Sequence, residues 1–368
     1  MTPISFFVSK WPALAKLQLP RVSRCPSGAL FPLLVCMFLT FAQAQKPSSS
    51  VEYQALQHRL ARDGTRGALT AFLSQMLLPA GLSLRIGIQD SKGVAGEVFL
   101  ADALIGRRGQ KSEEVFLGPH SWDGSYTDLR PNWHGVKVRV QSAHDGDDLV
   151  MLVTQLQEAP TGHPVSIVVF SAAYSWNRPG SISRLSDRID ANGPQLKVSI
   201  YPIVYEVPGV NIAVIGPYFA ASLNAPAGIS TGRQRSLAET TRIVERQRAA
   251  YMQSITAAGH CAIFDAIETT IACDTIYEPE RRRVVSPVSR VWGDNWGGYV
   301  LFDWDTFFAA ILAAVGNKDL AYANTVEILR HTAPSGFVPN FARAGDWKSF
   351  DRSEPLVGAI TVFGLYRR

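Results

Sequence analysis

Between residues 78 and 218 the chain reads as strand after strand: short apolar runs broken by Pro, Gly, Asp and Asn. In "GVKVRVQSAHDGDDLVMLVTQL", Val136, Val138 and Val140 alternate with Lys137, Arg139 and Gln141, the period-two signature of a half-buried strand. "AHDGDD" supplies turn residues and 149–156 runs back, which predicts a hairpin with a longer loop. "VSIVVFSAAY", "LKVSIYPIVYEV" and "NIAVIGPYFAASL" add further strands. Many antiparallel strands with no helix between them predict a β-sandwich, which we bound at residues 45–225, with 45–50 as a short polar linker.

Composition shifts near Ala225. "SLAETTRIVERQRAAYMQSITAAG" offers Ser236 and Glu239 as a capping box, followed by helical spacing through Ile243, Arg246 and Ala250. Rich in both charge signs, it reads as a solvent-facing linker helix, and residues 226–285 as linker and connection. "TIYEPERRRVVSPVSRVWGDNWGGYVLFDWD" reads as a long aromatic connection without regular structure. From Trp304 onward the expectation is helix and loop only. One helix stops near Gly316-Asn317, and Asp319 caps a second with Leu320, Ala323, Val326 and Leu329 on one stripe. After "PSGFVPNFARAGDWKSFDRSE", Pro355 opens a third, with Leu356, Ala359, Ile360 and Phe363 at helical spacing.

The chain has 368 residues, 18% charged and 46% hydrophobic, which is a globular composition. Its net charge of +5 overstates any basic character. Lys10, Lys16, Arg21 and Arg24 precede Gln45 with no acid among them, and account for all but one of those charges. A nearly neutral remainder gives no nucleic-acid footprint. The basic segment runs into "ALFPLLVCMFLTFAQA", whose Ala42-Gln43-Ala44 ending predicts a secretory signal over residues 1–44 and a periplasmic or secreted protein. No partner membrane is expected after cleavage. Cys25 and Cys36 leave with the signal, while Cys261 and Cys273 form an even pair that an exported chain could join in one disulfide. The seven histidines lack ligand spacing, so neither a metal nor a cofactor is expected.

The chemistry concentrates in "FDWDTFFAAIL", residues 302–312, where Asp303, Trp304 and Asp305 stand at the mouth of an apolar run. One reading is helix capping, with Asp305 or Thr306 accepting the free N–H groups of the first turn. The other is a sugar site, an indole plane against a ring and a carboxylate on hydroxyls. The neighbours favour the second. "SPVSRVW", "WGGYVLFDWDTFFAAILAA", "GFVPNF" and "DRSEPLVGA", in that order, resemble glycoside hydrolase family 63, in particular its bacterial members and mannosylglycerate-hydrolase-like proteins. Upstream, "LLPAGLSL", "GSYTDL" and "SAHDGDDLVMLV" resemble the sandwich domain of the same proteins.

The resemblance implies an N-terminal antiparallel β-sandwich followed by the first helices of an (α/α)6 toroid, residues 286–368. It also implies hydrolysis of α-linked glucose- or mannose-containing glycosides with inversion, one carboxylic acid protonating the leaving oxygen and one carboxylate activating water. On that plan Trp304 stacks on the sugar and Asp305 accepts hydroxyl hydrogen bonds. Asp351 and Arg352 shape the same pocket, with a salt bridge to Asp351 or Asp303 as the plain alternative for Arg352. Glu354 stands where relatives carry Gln, in "SEPL" against the usual Ser-Gln-Pro-Pro, and either alters specificity or caps the helix. Trp292, Trp296 and Trp347 are read as packing. The catalytic acid and base of the family fall beyond Arg368. A twelve-helix toroid needs on the order of 200 residues, and 64 follow Trp304, so the expectation is a truncated glycosidase, inactive as it stands. The alternatives are a non-catalytic secreted carbohydrate-binding protein and a helical-repeat scaffold, the latter disfavoured by the absence of a fixed period.

Overall fold

A computed structural model describes residues 51–63, 68–71, 74–77, 80–89, 99–100, 113–133, 136–157, 166–174, 178–203, 206–207, 216–257, 259, 261–278, 280–287, 299–343, 347–352 and 354–367. The expected signal and polar linker, Trp292 and Trp296 lie outside the described residues. The strand region forms two antiparallel sheets. A six-stranded sheet is centred on Leu82–Gln89, which pairs with Ile167–Tyr174, itself paired with Tyr218–Ser222. An eight-stranded sheet runs from Glu113–His120 at one edge, through Val136–Asp145 and Asp148–Gln155, to Ser181–Arg184 at the other.

Alternation makes the core between them. Leu82, Leu84, Ile86 and Ile88 of one sheet and Val136, Val138, Val140, Met151 and Val153 of the other share one buried cluster. Lys137 points outward to solvent, as its place in the alternation requires. Arg139, half-buried on the same outer face, pairs with the buried Asp128 at 2.6 Å. The hairpin loop is tighter than the composition of "AHDGDD" suggests. Asp145 pairs with Asp148 across only Gly146 and Asp147, and Gly146 supplies the positive φ (65°) of this sharp reversal.

Six helices are described: α1 (Val51–Asp63), α2 (Leu237–Ala257), α3 (Cys261–Asp274), α4 (Asp303–Ala313), α5 (Lys318–Leu329) and α6 (Val357–Tyr366). Ser236 caps α2, its Oγ accepting the Glu239 N–H at 3.1 Å, but the Glu239 carboxylate turns to Arg233 instead of closing the box. The helix is no solvent-facing linker. Ile243, Val244, Tyr251 and Ile255 pack on Tyr126, Ala143, Val150 and Leu152, on the outer face of the eight-stranded sheet. With both faces covered, Leu149–Val153 reads as an unbroken apolar run, not as an alternation.

The expected segment boundaries at 225 and 285 do not coincide with breaks in packing. Ala227–Thr231 is a fully buried strand between Asp148–Gln155 and Lys197–Pro202. Leu60 and Ala61 of α1 pack with Tyr277, Val284, Ala313, Leu320 and Ala323, so the helix before the sheets closes on those after them. Residues 49–368 form one compact unit. Two stretches read as irregular carry strands: Ile276–Glu278 pairs with Arg283–Val285, and Val300–Phe302, Phe341–Arg343 and Lys348–Ser349 make a small sheet. Runs of two or three residues show no period to read.

Cys261 and Cys273 do not pair. Both lie on α3, twelve positions apart, which at 1.5 Å per residue is about 18 Å of helix against a disulfide limit near 7 Å. Cys273 is buried with its Sγ 3.4 Å from His120 Nδ1.

Candidate functional site

The first turn of α4 is held from behind. Phe302 is extended (φ −80°, ψ 145°) as the last residue of its strand, and the Asp303 N–H donates to the Asn340 carbonyl at 2.9 Å. The Thr306 hydroxyl donates back to the Phe302 carbonyl. No side chain caps the helix, so neither Asp305 nor Thr306 has the capping role read from the sequence. The two acids still complement the positive end of the helix dipole. On α5 the cap is Asn317, whose Oδ1 accepts the Leu320 N–H at 3.0 Å, while Asp319 instead pairs with Arg59 of α1 at 2.9 Å.

From this turn a groove of about 810 Å³ opens between α4, the loop after α5, and α6. Its walls are apolar, with Phe307, Phe337, Val338, Leu356 and Phe363 among them, and its acids are Asp303 and Glu354. Gly358 allows α6 to come this close, since a Cβ there would sit 2.6 Å from the Phe307 ring. Asp303 is 7% exposed. Burial, reinforced by the Glu354 carboxylate, pushes its pKa up to about 6. A carboxyl that titrates this close to neutrality can donate or accept a proton, or hydrogen-bond in either sense.

The sequence-predicted residues divide into three places. Glu354 lines the groove beside Asp303. Trp304 and Asp305 occupy other faces of the same first turn and do not line it. The Trp304 indole is 38% exposed and leans on Phe308, ring centres 6.2 Å apart, which leaves area for a ligand to cover. Asp305 is half-buried, and burial raises its pKa although Trp304 supplies a hydrogen bond that opposes the shift. Asp351 and Arg352 are exposed and bonded to each other, both Nε and an NH2 group of the Arg fork on one carboxylate oxygen. That is the salt-bridge alternative for Arg352. Asp351 also accepts from Asn340 Nδ2 at 3.2 Å and from the Ser349 hydroxyl, which ties the loop to the start of α4 and holds its carboxyl well below the usual range. Trp347 is exposed and does not line the groove, its ring 5.1 Å from Phe341 with the Arg343 guanidinium over its face.

The sequence singles out Asp303 at the mouth of the apolar run and as a possible partner for Arg352, but not as a groove acid. Its signal was the apolar company of "YVLF" before it, but the neighbour that matters, Glu354, is 51 positions away. Among the described residues no group of His, Cys, Asp and Glu is arranged to hold a metal ion, and no helix is long and apolar enough to cross a membrane. In comparisons with protein-family models and with curated proteins, the chain matches none.

Proposed function

We propose that the groove and its rim hold one sugar unit of an α-linked glucose- or mannose-containing glycan, in an exported chain built on the plan of the inverting family-63 glycosidases. On this reading α4, α5 and α6 are the first helices of an (α/α)6 toroid. One observation carries it. Three of the four downstream stretches behind the resemblance contribute to a single groove: Asp303 and Phe307, then Gly336 to Val338, then Glu354, Pro355, Leu356, Gly358 and Ala359. Motifs that served only their own helices would have no reason to line one cavity. The groove offers what a sugar needs, carboxyls for hydroxyls and apolar surface for the ring, and Trp304 and Asp305 follow Asp303 on the same first turn of α4.

The resemblance assigns the catalytic acid and base to none of the residues present, so the role proposed for this chain is sugar holding. Incubation with α-mannosyl and α-glucosyl disaccharides is expected to show binding by saturation-transfer NMR and no release of monosaccharide. A second reading has an observation of its own: Asp303, titrating near 6 beside Glu354, has the character of an acid–base pair. Hydrolysis with inversion at the anomeric carbon, abolished by Asp303→Asn and by Glu354→Gln, would establish that reading and displace the first.

A further inference from the structure

A second concave site lies away from the groove, where α1, the Ile276–Glu278/Arg283–Val285 hairpin and α5 meet. Two adjoining cavities, of about 250 and 390 Å³, share Arg281, Arg283, Arg330 and Glu327 in their walls. Arg282 joins Tyr53, Gln54, Gln57 and His58 of α1 in the first, and His331 and Lys348 complete the second. At their floor the buried Arg283 binds Glu278 and Glu327, and donates to the Tyr299 hydroxyl at 2.9 Å. Both carboxylates are already shared. Glu278 also takes Arg281 at 3.4 Å, and Glu327 also takes Arg330 at 3.3 Å and the Tyr53 hydroxyl at 2.7 Å. Among the described residues, five cations thus line these cavities, and two carboxylates, Glu278 and Glu327, are bonded to them.

The backbone supplies an independent observation. Arg282 has φ 52°, and it is the one non-glycine residue with positive φ among those described. The left-handed region favours Gly or Asn, and an arginine there is strained. The strain is retained at the tip of a hairpin whose side chain lines the cavity. His331 senses the same field: burial, then Arg283, Lys348 and Arg281, push its pKa down to about 4, so it stays neutral among the cations.

We propose that these cavities form an anion site for a phosphate group, free or esterified, held by Arg281, Arg282, Arg330 and Lys348 over the Arg283 network. Arg forks suit a tetrahedral oxyanion, and excess positive charge in a concave, partly desolvated space is the electrostatics such a ligand requires. The site stands independently of the sugar reading.

The test is calorimetric titration of the full chain with inorganic pyrophosphate and with a hexose 1-phosphate, at ionic strength fixed with chloride. Saturable binding of either ligand is expected; pyrophosphate alone marks a free oxyanion, the hexose phosphate a phosphorylated sugar. Arg282→Gly removes the strain and keeps the turn, so the unliganded variant should melt no lower than wild type, yet bind about ten-fold more weakly. Lys348→Ala should weaken binding similarly, and Lys348→Arg should keep it. No heat from either ligand beyond the chloride control would overturn the proposal. So would binding undiminished in both Arg282→Gly and Lys348→Ala, which would leave the cluster a purely structural staple.

Discussion

Replacing Asp303 by Asn tests the electrostatics of the groove without changing its shape. The folded-state pKa is raised to about 6, against about 3.9 for an aspartate in an unfolded chain. Between those values the folded state binds more protons than the unfolded one. Stability is therefore greatest below about pH 4, falls as pH climbs through the window, and is level above about 6. At about 1.4 kcal/mol per tenfold change in proton affinity the difference approaches ~3 kcal/mol, and water reaching the carboxyl from the groove screens it to ~2 kcal/mol. Asparagine cannot ionise, so the penalty vanishes. Part of the gain, ~0.5 kcal/mol, is lost because the first turn of α4 gives up a negative charge. Asp303→Asn should thus be more stable than wild type by about 1–2 kcal/mol at pH 7.5, and no more stable at pH 4. Urea unfolding at both pH values reads this directly. Glu354→Gln should move the Asp303 titration, followed by carboxyl NMR, back toward the ordinary range. A variant less stable than wild type at pH 7.5, or a gap that does not change with pH, would refute the reasoning and mean that the ionised Asp303 has a favourable partner.

Three further outcomes follow from the packing. Glu327→Ala leaves Arg283 buried with half its carboxylate partners, and should cost about 3–5 kcal/mol in urea unfolding. Gly358→Ala forces a methyl to 2.6 Å from the Phe307 ring; overpacking of about 1–3 kcal/mol outweighs a helix-propensity gain of ~1 kcal/mol, giving a lower melting temperature and a wider groove. Mass analysis of alkylated peptides should find Cys261 and Cys273 never joined to each other, since one helix keeps them about 18 Å apart.

The sequence was most legible where one face of an element decides its pattern. Val136, Val138 and Val140 alternate because Lys137 and Arg139 face away from the core, and the strand is where the alternation puts it. Legibility failed where a partner is distant. Helix α1 is polar by composition, and it is ordered by Leu60 and Ala61 meeting residues more than 200 positions later. Gln57 adds to this by accepting the Val284 N–H at 2.7 Å. Helix α2 looked like a linker because its apolar face is narrow, and the sheet face it covers was hidden in an unbroken apolar run. At the groove, "FDWDTF" and "DRSEP" were recognisable as stretches that matter. That Arg352 turns to its neighbour Asp351 was one of the readings open in the sequence, but that Asp303 faces Glu354 depends on how α6 returns against α4. Residue spacing contains no such information.

The account rests on the groove and its rim holding a sugar, and a titration followed by saturation-transfer NMR addresses that most directly. Methyl α-mannoside and methyl α-glucoside are added to the full chain, with Trp304→Ala, Asp305→Ala and Trp347→Ala titrated in parallel. The expected result is saturable binding of one of the two, with a dissociation constant on the order of millimolar for a single ring. Trp304→Ala and Asp305→Ala should weaken it about ten-fold, while Trp347→Ala, whose ring is engaged with Phe341 and Arg343, leaves it unchanged. Signals that never saturate, or an affinity indifferent to Trp304 and Asp305, would contradict the account.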